Sequence, residues 1–366
     1  MKVICEGLDL SDAVLKVSKA LSTRTTNPVL EGIKITAKGD SLTLLATDLD
    51  LTIEKKIRAE VLMEGETVVV GKYFIEFIKK LENEQVELSR LYDGQLKIKY
   101  ADSESELQIF PVENYPLVDK KEDGESFSLT KKDFKEIVDK TCFACSIDDS
   151  RPILKGCYFE AISGNLNVVS LDGFRMAIVK KEIKTENDFK AIIPARALQE
   201  ISRLIEKEDG DIVVKLQRNK LFVEIDNTTL ISRLIEGEFV KYNHILPTNF
   251  ENIVTVNKIA LLNSIERAAV VAKNDRYNII RFDVKENILT VSSKSEVGFV
   301  TENVNINLEG KDIVIAFNGK YLTDYLRICG EEFVNFKLNS PIDPCVITPV
   351  GKDDSIYLVL PVRINA

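Results

Sequence analysis

The stretch Leu166–Ile183, LNVVSLDGFRMAIVKKEI, reads as a strand, a tight turn at Asp172-Gly173 and a second strand. Leu166, Val168 and Val169 are β-formers, an Asp-Gly pair is a strong hairpin signal, and Met176 to Val179 resumes the apolar run. The same design occurs upstream as LTLLATDLDLTIEKKI, Leu42–Ile57, and downstream as LTVSSKSEVGFVTENVNI, Leu289–Ile306. Each copy follows a short related segment: LEGIKITAKGDS, LKGCYFEAISGN and IIRFDVKEN. The copies start about 124 residues apart, so one module is written three times. They differ most at the turn. Only the middle copy sets an arginine beside a glycine turn, and Phe174, Arg175 and Met176 there look exposed.

Working outward, LDLSDAVLKVSKAL has apolar residues at 10, 13, 14, 17, 20 and 21, which is helical spacing. LTKKDFKEIVDKTCFA and VNKIALLNSIERAAVVA correspond to it. A second helix follows each hairpin: GKYFIEFIKKL, AIIPARALQEISRLI and IVIAFNGKYLTDYLRI. Further strands close each module. A repeat of this length is domain-sized, too long for a solenoid. The expectation is an α+β fold of three similar domains, each with two helices packed on antiparallel sheets, over residues 1–122, 123–249 and 250–366. Linkers fall near Asp119 to Glu125 and Asn249 to Asn252.

With 45% apolar and 29% charged residues in 366, the chain has the composition of a soluble globular protein. No apolar run approaches the ~18 residues of a membrane span, and MKVICEGLDLSD carries no signal-peptide core. The cytoplasm is the expected compartment. Six scattered cysteines read as small buried residues. Cys142 and Cys145 form a CxxC, but no second pair completes a zinc site.

The net charge of −9 is unevenly spread. The helical segments 8–24, 71–81, 131–144, 195–207, 257–273 and 318–328 hold 18 Lys/Arg and 10 Asp/Glu, a net of +8, which leaves −17 for the rest. Helices facing one way would give one positive surface on an acidic body, suited to phosphates and blind to bases.

Signatures of catalysis are missing. The GK dipeptides lack P-loop spacing, there is no GxSxG or GxGxxG, and His244 is the single histidine. No cofactor is expected. Asp48 with Asp50, or Asp148 with Asp149, could hold a metal for a nucleic-acid enzyme. A structural turn at the equivalent Asp48 and Asp172 explains these aspartates more simply, so no metal site is expected. SRLIEGEFVKYNHILP, Ser232–Pro247, and the terminal YLVLPVRIN carry apolar residues past turn signals. Near the Asp172 turn they would form an apolar pocket.

LxLxATDLDLxIE, RPILKG, VSLDGFRMAI, SRLIEGEFVKYNHILP and LPVRI, in this order along the whole chain, resemble the bacterial sliding clamp, the β subunit of DNA polymerase III. The resemblance implies a clamp fold in which one chain forms half of a ring: a head-to-tail homodimer that encircles double-stranded DNA without reading sequence and catalyses nothing itself. It implies as partners the replicative DNA polymerase, an ATP-dependent clamp loader and other proteins bearing a clamp-binding peptide, at the bacterial nucleoid. The peptide site would comprise Leu154, Leu171, Gly173, Phe174, Arg175 and Met176, then Val240, His244 and Ile245, then Leu358, Val359, Leu360, Pro361, Val362 and Arg363. Leu171 stands where threonine is frequent, and Phe174 where histidine is. Matching DNA-contact positions are Arg24, Lys72, Arg151 and Arg196. Ser105 and Leu107 would meet Val270 and Val271 of a second copy.

Overall fold

In the computed structural model the central hairpin lies where the sequence places it. Strands Asn165–Leu171 and Arg175–Glu182 run antiparallel with Leu171 opposite Met176. The structure describes residues 1–22, 25–81, 83–91, 94–118, 124–272 and 278–363. Six α-helices are present among them: α1 Gly7–Val17, α2 Gly71–Ile78, α3 Lys131–Thr141, α4 Ala195–Leu204, α5 Lys258–Ala272 and α6 Gly319–Ile328. Two are shorter than their periodicity implies, because α1 and α3 tighten into 3₁₀ turns at Ser18–Ala20 and Cys142–Ala144. None is long and apolar enough to cross a membrane.

The chain forms two compact units, one of residues 1–131 with 196–234 and the other of 132–195 with 235–366. In the first, an antiparallel sheet runs from Glu125–Thr130 through the hairpin Ser41–Thr47 and Leu51–Arg58 to Ser103–Phe110 and on to Lys2–Glu6. Strand Leu51–Arg58 pairs with Thr228–Arg233, Leu51 opposite Ser232. The closing strand of the second module thereby covers the hairpin of the first.

The second unit repeats that arrangement. Strand Arg175–Glu182 pairs with Ser355–Val359, Met176 opposite Leu358. The third hairpin, Ile288–Ser295 with Gly298–Glu309, lies further along the same sheet. Helix α5 buries Leu261, Ser264, Ile265, Ala268 and Ala272, a stripe at helical spacing, in a core with Phe282, Phe317, Phe336 and Tyr357. The recurrent Gly-Lys at helix starts has a packing cause. A Cβ on Gly71 would lie 2.7 Å from the Glu31 carbonyl, and one on Gly319 equally close to Ile280.

Candidate functional site

Asp172 makes the central turn. Its Oδ1 accepts hydrogen bonds from the backbone N–H groups of Phe174 and Arg175 at 2.9 and 3.0 Å. Gly173 takes φ +96°, a value that only glycine adopts without strain. The turn leaves Phe174 60% exposed, whereas Arg175 and Met176 are only 9% and 2% exposed. The trio is therefore not uniformly exposed, contrary to its sequence. Strand alternation then sends Met176 and Arg175 to opposite faces of the sheet.

On the Met176 face, Leu154, Leu171, Met176 and Leu358 join Phe239, Tyr242 and Val346 in one apolar cluster, with Leu246 and Leu360 packed at its margin. Two contacts hold the segment after Gly237 against this cluster. The Phe239 ring stacks on Tyr158 at 4.8 Å, and the Tyr242 hydroxyl donates to Glu160 Oε2 at 2.9 Å. Burial would raise the Glu160 carboxyl, but hydrogen bonds from Lys190 and Tyr242 hold it below its ordinary value. Burial and the same carboxylate push the Tyr242 hydroxyl up. Of the other expected peptide-site residues, Val240, His244, Ile245, Gly173 and Arg363 are exposed, and Pro361 and Val362 are half-buried. The Leu360 N–H donates to the Phe174 carbonyl at 2.8 Å, tying the C-terminal strand to the turn.

Val359 departs from the expected set. Fully buried, it packs with Tyr325 and Tyr357 in the other core, because the strand period of two gives it the opposite face from Leu358.

Arg175 departs further. Its Nε donates to Asp172 at 2.9 Å, Nη1 to Asp324 of α6 at 2.7 Å and Nη2 to the Phe143 carbonyl at 2.7 Å. The guanidinium carbon lies 4.6 Å from the Tyr321 ring centroid and 5.4 Å from that of Phe143. Burial acts against its charge, yet Asp324 and Asp172 raise its pKa above the ordinary value. It braces the turn from the face opposite the apolar cluster. A groove of about 1190 Å³ opens there, lined by Phe143, Ile147, Arg151, Phe174, Lys320 and Tyr321 among others. Sequence reasoning missed Asp324, Phe143 and Tyr321, which come from distant segments with no local signal of the pairing.

Of the expected DNA contacts, Arg24 lies outside the described residues. Lys72 is exposed at the start of α2, with Nζ 5.7 Å from the Tyr73 ring centroid. Exposed Arg151 extends to the hairpin, where a Cβ on Gly173 would be 3.3 Å from its Nη1. Arg196, half-exposed, donates to Asp48 and to the Lys19 carbonyl. Ser105 and Leu107 share one face of strand Ser103–Phe110, and Val270 on α5 is 67% exposed beside half-buried Val271.

The acidic pairs have protein partners. Asp48 Oδ1 accepts from the backbone N–H groups of Asp50 and Leu51. Asp148 accepts from Ser150, whose hydrogen bonds lower its pKa, and Asp149 pairs with Lys155.

Three family models match in chain order. The N-terminal domain of the DNA polymerase III beta subunit matches residues 1–119, its central domain 128–241 and its C-terminal domain 243–363. A beta sliding clamp of Staphylococcus epidermidis is 32% identical over 356 residues, 94% of each chain. The Staphylococcus aureus protein of that name is 30% identical with the same coverage. The crystal structure of the Bacillus subtilis DNA polymerase sliding clamp superimposes with a TM-score of 0.95 at 26% identity over 100% of both chains. That of the DNA polymerase III beta subunit from Thermotoga maritima gives 0.92 at 27%, again over 100% of both.

Proposed function

The chain belongs to the DNA polymerase III beta-subunit family, the bacterial sliding clamps of DNA replication, and on that premise we propose that two copies close head to tail into a ring around duplex DNA. Each copy contributes three similar domains, 1–122, 123–249 and 250–366. The ring is a non-catalytic processivity factor that tethers the replicative polymerase in the bacterial cytoplasm, at the nucleoid.

One observation carries this reading. In the first two modules, the closing strand of the next module covers the hairpin's outer edge. Among the described residues no closing strand covers the third hairpin in that way. Its strand from Gly298 to Asn305 pairs on one side only among the described residues. Among the described residues the first module's closing strand, Ser103–Phe110, pairs with Gln95–Tyr100 and otherwise only through Ile109 and Phe110. Unpaired edges invite strands from another chain. A second copy supplies the missing partner at both edges, and two such heterologous contacts close a ring. Ser105 and Leu107 then approach Val270 and Val271 of the second copy.

The apolar cluster of Leu154, Leu171, Met176 and Leu358 suits a short glutamine- and leucine/phenylalanine-containing segment of the polymerase and other partners, with exposed Val240, His244 and Ile245 and half-buried Pro361 as further contacts, while Phe174 faces the groove beside Arg175. Burying one large apolar side chain there contributes roughly 1.5–3 kcal/mol. Lys72, Arg151 and Arg196, together with Arg24, suit phosphate contacts weak enough to slide. Opening the ring falls to a separate ATP-dependent loader.

The test is retention on DNA. Loaded onto a closed duplex circle, the protein should stay bound through high-salt washing and be released when the circle is cut. Equal retention on linear and circular DNA would overturn the topological reading.

A further inference from the structure

Three cysteines from two segments meet inside the second unit. The Sγ of Cys157, on strand Gly156–Ile162, lies 3.6 Å from Cys145 Sγ and 3.7 Å from Cys142 Sγ. Thr141 Oγ1 is 3.6 Å from the same sulfur. The other three cysteines are buried elsewhere and make no sulfur–sulfur contact among the described residues. No group of three or more His, Cys, Asp or Glu among those residues is arranged to hold a metal ion.

Access to the three sulfurs is graded. Cys142 and Cys145 contribute to the wall of the groove beside Arg175, and Cys157 does not. Cys145 is 8% exposed and Cys157 is 0% exposed. The backbone differs too. Cys145 opens a segment, residues 145–151, with no helix or strand, whereas Cys157 lies in a strand paired on both sides.

We propose that this cluster is an oxidation site, in which Cys145 and Cys157 form a disulfide when a hydroperoxide enters the groove. The Cys145 sulfur attacks the peroxide, the O–O bond breaks, and a sulfenic acid forms as one oxygen leaves as water or alcohol. Cys157 then attacks that sulfur, forming the S–S bond and expelling the second oxygen as water. The two thiols give up two electrons and two protons, and the peroxide is reduced. Closing 3.6 Å to a bonded distance of about 2.05 Å falls to the irregular segment at Cys145. Cys142 is the third member and hydrogen-bonds the attacking sulfur.

The proton arrangement works against the first step, and sulfur geometry and access carry the proposal. Hydrogen bonding to Cys157 and burial push the Cys145 thiol up, and the same sulfur contacts push Cys157 down. The thiolate is the attacking form, so a raised Cys145 thiol slows the first step and the lowered Cys157 favours the second. The bridge would reach the hairpin as well. Phe143 holds Arg175 through its carbonyl, and the Ser146 N–H donates to the Leu154 carbonyl at 2.8 Å. Drawing Cys145 toward the strand pulls on both.

The full chain is exposed to hydrogen peroxide, its remaining thiols are blocked under denaturant, and it is digested without reductant for mass spectrometry. The expected product joins the peptides of Cys145 and Cys157, is reversed by dithiothreitol and is lost in Cys145→Ala, which leaves the strand sulfur in place. Hydrogen exchange should change over residues 143–151 and 172–176 on oxidation, and not in that variant. Exposed Met63 reports that oxidant was effective. Free Cys145 and Cys157 at doses that convert Met63 to its sulfoxide would overturn the proposal. So would separate sulfinic acids, or a link between Cys142 and Cys157 instead.

Discussion

At Asp48 and at Asp172 the chain makes the same turn. In each, one carboxylate oxygen accepts from the backbone N–H groups two and three residues on, at 3.1 and 2.8 Å for Asp48 and at 2.9 and 3.0 Å for Asp172. The next residue is left-handed in both, Leu49 at φ +80° and Gly173 at φ +96°. The third residue after the aspartate differs. It is buried Leu51 in the first hairpin and buried Arg175 in the second. The free carboxylate oxygen follows that difference. Asp48 turns it to Arg196, from a helix start, and Asp172 turns it to Arg175, within its own hairpin. The aspartate alone suffices for the turn. The arginine adds a tie to Asp324 and Phe143, and it fixes the end of the strand that carries Met176.

Breaking that arginine should have the largest effect. Arg175→Ala takes from Asp172 and Asp324 the cation they share, leaving Asp172 its turn N–H bonds and Asp324 its pair with Lys320, in a site where both carboxylate side chains are less than a fifth exposed. Removing one partner of such a pair costs about 3 kcal/mol. Denaturant unfolding, followed by hydrogen exchange in strand Arg175–Glu182 so that the two units are not averaged, measures it. A loss below about 1 kcal/mol, the scale of an exposed pair, would mean the bracing is ornamental. Arg175→Lys should recover only part, because an ammonium cannot span three acceptors in the guanidinium plane.

The difference between the two turns also marks how far the sequence could be read. Both hairpins and both aspartate turns were legible, because alternation and turn chemistry are local. So were the six helices, through their apolar spacing. That the segment of Phe239 and Tyr242 and the terminal strand of Leu358 could meet near the Asp172 turn was read from their apolar residues, while Leu154 entered only through family resemblance, since these residues are spread over two hundred positions and local pattern does not say which strands pair. The faces of Arg175 and Val359 were missed for another reason. Adjacent residues of a strand point oppositely, so a list of neighbouring positions cannot all line one pocket. Asp324 and Cys157 left no trace, because a polar partner contributed by a distant element has no spacing to betray it.

A smaller effect is expected at the left-handed positions, and with opposite signs. Gly173→Ala should destabilise the second hairpin by about 1–2 kcal/mol, the penalty of a Cβ in that conformation. Arg151 would also have to yield, with its Nη1 3.3 Å from the new atom. Leu49→Gly removes the same strain from the first hairpin and loses little packing, because Leu49 is half-exposed. A gain of up to about 1 kcal/mol is expected after the added freedom of the unfolded chain is subtracted. Melting curves of the two single variants decide it. Shifts of the same sign would show that the turns are not equivalent after all.

The smallest change in stability belongs to Arg196→Ala. Its pair with Asp48 is half-exposed on the arginine side, and such pairs contribute about 0–1 kcal/mol. Asp48 keeps its turn without it, because the bonds to Asp50 and Leu51 use the other oxygen. The DNA readout separates two roles for this cation. If Arg196 meets phosphate, its loss should flatten the dependence of log affinity on log salt by about 0.9. If Asp48 already neutralises it, the slope stays put, and Asp48→Asn should steepen it by releasing the guanidinium. That variant retains a side-chain oxygen to accept the turn N–H groups, so a changed slope would trace to the ion pair and not to a lost hairpin. The exposed turn would then be an electrostatic gate on a DNA contact, while its counterpart at Asp172, with its arginine built in, is a structural brace.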